Sequence, residues 1–150
     1  MTITPAAPDP TGYKQPQSVL VVVATEGGEA LLLRRRQPAD FWQSVTGSLD
    51  WGESPAAAAP RELREETGID AVPAATGRVN RFAILPAWRA RYHPDVVENE
   101  EHVYVVRLAG RVALRLAPDE HVEAAWLARD AAVAKASSWT DRAALKALIL

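Results

Sequence analysis

Three glutamates near the middle of this chain constrain its fold more than any other feature. At about 100° per residue of an α-helix, Glu62, Glu65 and Glu66 fall within one arc of about 100°. The apolar side chains of the same segment fall on the adjacent arc, which we expect to face the core: Ala56, Ala59 and Leu63. The segment therefore predicts a helix that presents three carboxylates together at the edge of a buried face.

Carboxylates at this spacing repel one another, so an enclosed site requires a cation. Neighbouring side chains on a helix lie ~5–6 Å apart, where two like charges repel by about 3 kcal/mol at an effective dielectric constant of ~20. Arg61 precedes Glu65 by four residues and supplies one positive charge. A divalent ion would supply more, and all-oxygen ligands favour Mg²⁺ or Mn²⁺ over zinc or copper. The residues alone leave open a solvated helix face with ion pairs such as Arg61 to Glu65.

The remaining pattern predicts strands before and after this helix, and hence a mixed sheet with helices on its faces. Ser54 is a suitable N-cap, Pro55 suits the first helical turn and Gly68 a helix end, although Pro60 predicts a kink or a late start near Ala57. We predict strands at 18–25, 30–35, 41–47, 79–88, 101–108, 112–116 and 123–127, and helices at 55–67, 130–136 and 140–150. This order indicates an α+β or α/β class.

Composition excludes several classes of function. The 150 residues contain 17 Lys and Arg against 19 Asp and Glu, a net charge of −2, which disfavours binding of a nucleic-acid polymer. There is no cysteine, and hence no disulfide or thiolate metal site. Segment 1–16 is proline-rich with no apolar signal region. We expect a mobile tail at 1–16, one domain at 17–150, a cytoplasmic location and no membrane association.

The spacing before the helix extends the pattern. Segment 47–69 matches all nine fixed positions of the pattern Gly-x5-Glu-x7-Arg-Glu-apolar-x-Glu-Glu-x-Gly-apolar. The match begins at Gly47, continues with Glu53 and ends with the glutamate segment 61–69. This pattern resembles the box of the Nudix hydrolases, which implies an α/β/α sandwich with a mixed β-sheet and a loop–helix–loop metal site. The resemblance further implies metal ligands and acid–base groups at Glu62, Glu65 and Glu66, an orienting role for Arg61 and a supporting role for Glu53. It leaves open which glutamate is the general base.

Other stretches look like one Nudix subfamily, the bacterial dihydroneopterin triphosphate diphosphatases. They are Phe41–Ser48, Arg91-Tyr92, Glu120-His121 and Ser138-Trp139. The resemblance implies Mg²⁺-dependent conversion of 7,8-dihydroneopterin triphosphate to the monophosphate and pyrophosphate, with dATP as a further substrate and no obligate protein partner. It implies Glu120 as a further metal ligand. It also implies a set of substrate contacts: Lys14, Arg35, Thr46, Phe82, Ala83, Ile84, Leu85 and Ser138.

Several alternatives remain at this point. The arginines at 34–36 also fit a solvated strand end, and each tryptophan that might stack on a flat ring also fits the core: Trp42, Trp88 and Trp139. The histidines lack metal-ligand spacing and stay unassigned: His93, His102 and His121. The rival functions are another Nudix pyrophosphatase, acting on dATP, an oxidised nucleotide or ADP-ribose, and a non-catalytic module that senses a nucleotide.

Overall fold

The computed structural model describes residues 12–150, which form seven strands and three α-helices. The expectation of a mobile segment at 1–11 lies outside the described residues. The strands are β1 Gln17–Thr25, β2 Glu29–Arg35, β3 Trp42–Gln43, β4 Val45–Ser48, β5 Ala74–Ala83, β6 Glu98–Leu108 and β7 His121–Ala128. The helices are α1 Pro55–Thr67, α2 Arg129–Lys135 and α3 Trp139–Leu148, and a 3₁₀ turn spans Pro86–Arg91.

The strands form a mixed sheet, which confirms the predicted fold class. Along the sheet the order is β3, β2, β1, β6 and β5, while β4 also pairs with β1 and β7 with β2. Strands β1 and β6 run parallel, and the other pairs are antiparallel. Because β1 lies at the centre, its neighbours β4 and β6 bring residues from distant parts of the chain to one end of the sheet.

Helices cover both faces of the sheet, so β1 is buried on both sides. Val19, Val21 and Val23 of β1 pack in one cluster with Leu63 of α1. The alternate residues of β1 pack in a second cluster with α2 and α3: Leu20, Val22 and Ala24. Alternation of side chains along a strand explains this division. The result is a three-layer α/β/α sandwich, and α1 and α3 face each other across the sheet.

Helix α1 has the predicted bounds and caps. The Ser54 Oγ accepts a hydrogen bond of 3.2 Å from the Ala57 amide, and Gly68 ends the helix with a φ of 78°. Pro60 lies inside the helix, but the predicted start near Ala57 is wrong because the Ser54 cap already fixes the first turn. Ala56 is exposed, in contrast to the prediction, since Ala58 and Ala59 occupy the core face instead.

Three other boundaries differ from the sequence prediction. Strand β5 begins at Ala74 and ends at Ala83, after which the chain turns at Pro86, so the predicted strand at 79–88 was placed too late. Segment 112–116 is not a strand. It packs Leu114 and Leu116 against the core, and the Arg115 amide donates to the Thr67 carbonyl over 2.8 Å. The Thr67 carbonyl lies in the last turn of α1, where it has no partner within the helix, so the Arg115 amide supplies its hydrogen bond.

Residues 13–16 are tied to the domain, although the sequence places them in a mobile tail. The Trp51 indole donates to the Tyr13 carbonyl over 2.8 Å, the Lys14 amide to the Arg91 carbonyl over 2.8 Å, and the Gln15 amide group to the Asp50 carbonyl over 2.9 Å. Tyr13, Lys14 and Gln15 therefore contact the domain that the sequence analysis begins at residue 17. No helix within residues 12–150 is both long and apolar enough to cross a membrane.

Candidate active site

Arg61 connects the loop before α1 to the glutamates on the helix. Its guanidinium donates to both Glu53 oxygens over 2.7 Å, to Glu62 over 3.0 Å and to Glu65 over 3.1 Å. These contacts lower the pKa of Glu53 and raise that of Arg61, each because of the hydrogen bonds to the other. One cation thus offsets the repulsion among three carboxylates and fixes the loop against the helix.

Gly47 is required by the position of the Glu62 carboxylate. A Cβ atom at position 47 would overlap the carboxyl carbon and both oxygens of Glu62. The backbone of β4 therefore lies directly against this carboxylate, and only a residue without a side chain permits the contact. Burial raises the pKa of Glu62, while its hydrogen bonds with Glu66 and Arg61 act in the opposite direction.

Glu66, Glu120 and His121 form a compact set of donor atoms. Their ligand atoms all lie within 4.8 Å of one another; Glu66 is 1% exposed and His121 2%. Within residues 12–150, neither Glu66 Oε1 nor His121 Nδ1 has a hydrogen-bond partner, and the two atoms are 3.8 Å apart. A buried carboxylate oxygen without a partner, close to a second carboxylate and an imidazole, fits a divalent cation.

The protonation of this set follows from burial. Burial raises the pKa of Glu66 well above its usual range, and the Glu62 carboxyl raises it further. Burial, aided by Arg35, lowers the pKa of His121 to about 4, so the imidazole is neutral near pH 7. Gln43 Nε2 lies 3.0 Å from His121 Nε2. If the amide nitrogen donates, the imidazole proton sits on Nδ1 and faces Glu66.

Glu65 differs from its two neighbours. Its side chain is 57% exposed and is bound to Arg61 at the outer side of α1. Helix geometry gives the reason, because the buried face of α1 is centred near Glu66 and the adjacent Glu65 points about 100° away. The sequence expectation of three equivalent carboxylates thus resolves into two buried ones and one at the rim.

A cleft of about 1110 Å³ runs past this cluster. Three of the candidate residues do not line this cleft: Glu53, Arg61 and Glu65. The other candidate residues all line it: Lys14, Arg35, Thr46, Glu62, Glu66, Phe82, Ala83, Ile84, Leu85, Glu120 and Ser138. The Thr46 hydroxyl donates to the Val19 carbonyl over 2.9 Å, so only its lone pairs are free for a ligand.

Three cations crowd the part of the cleft that lies near the glutamates. Desolvation within the cleft lowers the pKa of Lys14, and the adjacent Arg91 and Arg35 lower it further. The pKa of Arg35 is lowered in the same way, by burial and then by Arg91. Arg91 was not among the candidates, and only its place in the 3₁₀ turn, next to Lys14, reveals it. Mutually repelling cations in a cleft are typical of an anion site.

The tryptophans separate into two roles. Trp42 is buried in the core under α2, with Lys135 Nζ 4.4 Å from its ring. Trp88 and Trp139 line the cleft, although the Arg35 guanidinium already lies 5.4 Å from the Trp88 ring. Of the three tryptophans considered from the sequence, Trp88 and Trp139 are therefore the ones placed to stack on a flat ligand ring.

Comparison with known proteins assigns the family. The family model described as NUDIX domain matches residues 14–148. The dihydroneopterin triphosphate diphosphatase of Escherichia coli K12 is 37% identical over 144 residues, covering 92% of this chain and 95% of that protein; the Haemophilus influenzae protein of the same name is 34% identical over 140 residues, covering 89% and 87%. The solved structure of the Escherichia coli dihydroneopterin triphosphate pyrophosphohydrolase superposes with a TM-score of 0.86 at 37% identity, covering 91% of this chain and 97% of that one. This chain therefore belongs to the Nudix family.

Proposed function

We propose that this protein hydrolyses 7,8-dihydroneopterin triphosphate to the monophosphate and pyrophosphate in a Mg²⁺-dependent reaction, and that it also accepts dATP. Relatives named for the first activity span most of the chain at 34–37% identity. The observation that carries the proposal is a single cleft that contains both a carboxylate cluster and a cluster of cations. Triphosphate hydrolysis needs both.

The two clusters have different proposed roles, phosphate binding for the cations and metal binding for the carboxylates. Lys14, Arg35 and Arg91 would bind the phosphate oxygens and orient the chain of phosphates. Glu62, Glu66 and Glu120, with His121 beside them, would hold the divalent ion, which supplies positive charge to the phosphates and acidity to water. A carboxylate of α1 then accepts the proton as water attacks phosphorus and pyrophosphate leaves. No covalent nucleophile on the protein is needed.

Arg61 and Glu53 act on the reaction indirectly. The Arg61 guanidinium holds the oxygens of Glu62 and Glu65 at fixed distances, and Glu53 holds the guanidinium through two bonds. Such support lowers the reorganisation needed at the moment of reaction. Glu65 reaches the cleft only if it leaves Arg61, so we assign it a secondary place among the proposed ligands.

The position of bond cleavage is the first prediction. We expect intact pyrophosphate and the monophosphate as first products, because the cations hold the phosphate chain so that its α–β anhydride meets the glutamates. The reaction is run in ¹⁸O-water, and products are identified by mass spectrometry at low conversion. Orthophosphate appearing before pyrophosphate would show that the cleft holds the opposite end of the triphosphate.

Arg35→Ala gives the second prediction. We expect KM for dihydroneopterin triphosphate to rise about tenfold with a smaller change in kcat, since a phosphate contact made equally in ground and transition states affects binding alone. Arg34→Ala is the matched control, because Arg34 precedes Arg35 on β2, faces the other side and pairs with Glu123. Equal KM values for the two variants would refute the phosphate contact of Arg35 and favour the interpretation of residues 34–36 as a solvated strand end.

Two rival functions are tested by the same assay. Another Nudix pyrophosphatase would prefer dATP, an oxidised nucleotide or ADP-ribose, and comparing kcat/KM across these substrates decides which one the cleft selects. A non-catalytic sensor would bind a nucleotide without releasing pyrophosphate. The intact carboxylate cluster argues against the sensor, since a module that only binds has no use for buried, mutually repelling glutamates.

A further inference from the structure

A second polar cluster lines the same cleft and is not used by the proposed chemistry. Asn99 and Glu101 lie two residues apart on β6, so both side chains emerge on the face covered by α3. They are 4% and 5% exposed. Ser18 and Thr140 line the cleft beside them. The side-chain partners of the pair are Ser18, Asn80 and Thr140, which belong to β1, β5 and α3.

Asn99 and Glu101 each have a side-chain acceptor site that no protein donor in the described residues occupies. Asn99 Nδ2 donates to Ser18 Oγ over 2.8 Å, but within residues 12–150 its buried Oδ1 has no partner. Glu101 accepts from Asn80 Nδ2 over 3.3 Å and from the Thr140 hydroxyl. A carboxylate offers about four acceptor sites, so about two remain.

The neighbouring carboxylate, Asp141, has no exposed surface, and each of its two oxygens is already bound. Asp141 accepts from the Ser44 amide over 2.6 Å and from its hydroxyl over 2.7 Å. This acid is fully buried and joins α3 to the loop between β3 and β4. Glu101 and Asn99 keep some exposed surface in the cleft and are therefore more accessible to a ligand than Asp141.

Charge separates the two ends of the cleft. Lys14, Arg35 and Arg91 lie together in one part of the cleft, whereas the charged neighbour that acts on Glu101 is Asp141. Burial raises the pKa of Glu101 to about 7, as expected for a carboxylate that lacks a positive partner. A triphosphate is repelled from this end, and a neutral ring rich in N–H donors is attracted to it.

We propose that Asn99 and Glu101 bind the donor edge of the pterin ring, namely its ring N–H and the adjacent amino group. This inference rests on the proposed function and names the residues that select the ring. The two remaining acceptor sites of Glu101 match the ring N–H and one amino N–H, and Asn99 Oδ1 takes the second amino N–H. Phe82, which pairs with Asn99 across β5 and β6, lines the cleft next to them.

The same edge determines which rings fit. A guanine ring carries an identical arrangement, with a ring N–H next to an amino group. An adenine ring presents its amino group next to a bare ring nitrogen, which the ionised form of the Glu101 carboxyl meets with no proton between them. Buried polar groups left unpaired are strongly unfavourable, so we expect the pair to favour pterin and guanine triphosphates over dATP.

The test measures kcat/KM of Glu101→Gln for dihydroneopterin triphosphate, dGTP and dATP. Glutamine keeps the volume but replaces one acceptor oxygen by an NH₂ donor. We expect kcat/KM to fall about 10²-fold for the first two substrates and less than about fivefold for dATP. Glu100→Gln is the matched control, because Glu100 is the adjacent residue on the opposite face of β6 and pairs with Arg81. We expect it to change none of the three values.

The outcomes are distinguishable. An equal loss for all three substrates, or no loss, would overturn the assignment of the ring edge while leaving the hydrolase intact. A wild-type protein that cleaves none of the three would instead refute the proposed function. Thermal unfolding of each variant checks its fold. If Glu101→Gln does not fold, Asn99→Ala supplies the same three-substrate comparison, with the same selective loss expected and the same equal loss contradicting it.

Discussion

Glu66→Gln is expected to lower kcat by at least about 10³-fold with Mg²⁺ present. The substitution keeps the size of the side chain but removes the charge from the most buried glutamate of the cleft. Its unpartnered Oε1, within 4.8 Å of the ligand atoms of Glu120 and His121, would no longer attract a divalent ion. Loss of one group that acts directly in such a site costs 10²–10⁴-fold, that is about 3–5 kcal/mol.

The same variant should be at least as stable as the native protein without metal. Because burial raises the pKa of Glu66 above its value in an unfolded chain, ionisation of this carboxyl favours unfolding. The contribution of Glu66 to stability therefore falls as pH rises from about 4, and this contribution is absent from the glutamine variant. We expect the Tm of the variant to exceed the native Tm by a margin that is larger at pH 8 than at pH 5.

Glu123→Gln serves as the control for both measurements. Glu123 is exposed on β7, pairs with Arg34 and lies outside the cleft, so kcat should stay within about twofold of native. Full activity of Glu66→Gln would refute the carboxylate cluster as the metal site. A lower Tm in metal-free buffer would show that Glu66 stabilises the fold by a contact that charge repulsion does not outweigh.

Local signals predicted α1 and its loops well. Ser54, Pro55 and Gly68 act on the backbone of their own turns, so their effect does not depend on the rest of the fold. The spacing from Gly47 to the glutamates likewise fixes which side chains leave the helix together. The same local argument fails for the rotation of α1, because packing of Ala58 and Ala59 against β1, and not hydrophobic periodicity alone, turns Glu66 inward and Ala56 outward.

Sequence patterns did not predict the site residues that enter the cleft through contacts between distant segments of the chain. His121 has no metal-ligand spacing along the chain, yet the pairing of β7 with β2 brings it to Glu66. Asn99 and Glu101 enter the cleft because β6 runs parallel to β1, which puts Glu101 opposite Ser18. Arg91 reaches Lys14 through a 3₁₀ turn that the sequence suggested to be a loop. The first two cases depend on strand registers and the third on a backbone contact between distant segments, and no local motif encodes either.

Gly47→Ala should be strongly damaging although it adds only one methyl group. The new Cβ would overlap the carboxylate of Glu62, which cannot retreat because Arg61 and Glu66 hold its other side. Either the carboxylate leaves the cleft or β4 separates from β1 at the pair of Gly47 with Val19. We expect kcat to fall about 10²-fold, and overpacking to lower the free energy of unfolding by about 1–3 kcal/mol.

Gly27→Ala separates this overlap from the general effect of adding a methyl group. A Cβ at position 27 meets its nearest atom, Thr25 Oγ1, at 3.8 Å, an ordinary contact. Its kcat and Tm should therefore match the native values, since Gly27 lies in the turn between β1 and β2, away from the cleft. The two alanine variants are compared by steady-state kinetics and thermal unfolding in the same buffer. Native kcat in Gly47→Ala would mean that Glu62 works equally well from a displaced position, and the tight contact between β4 and this carboxylate would then have no part in placing the metal ligands.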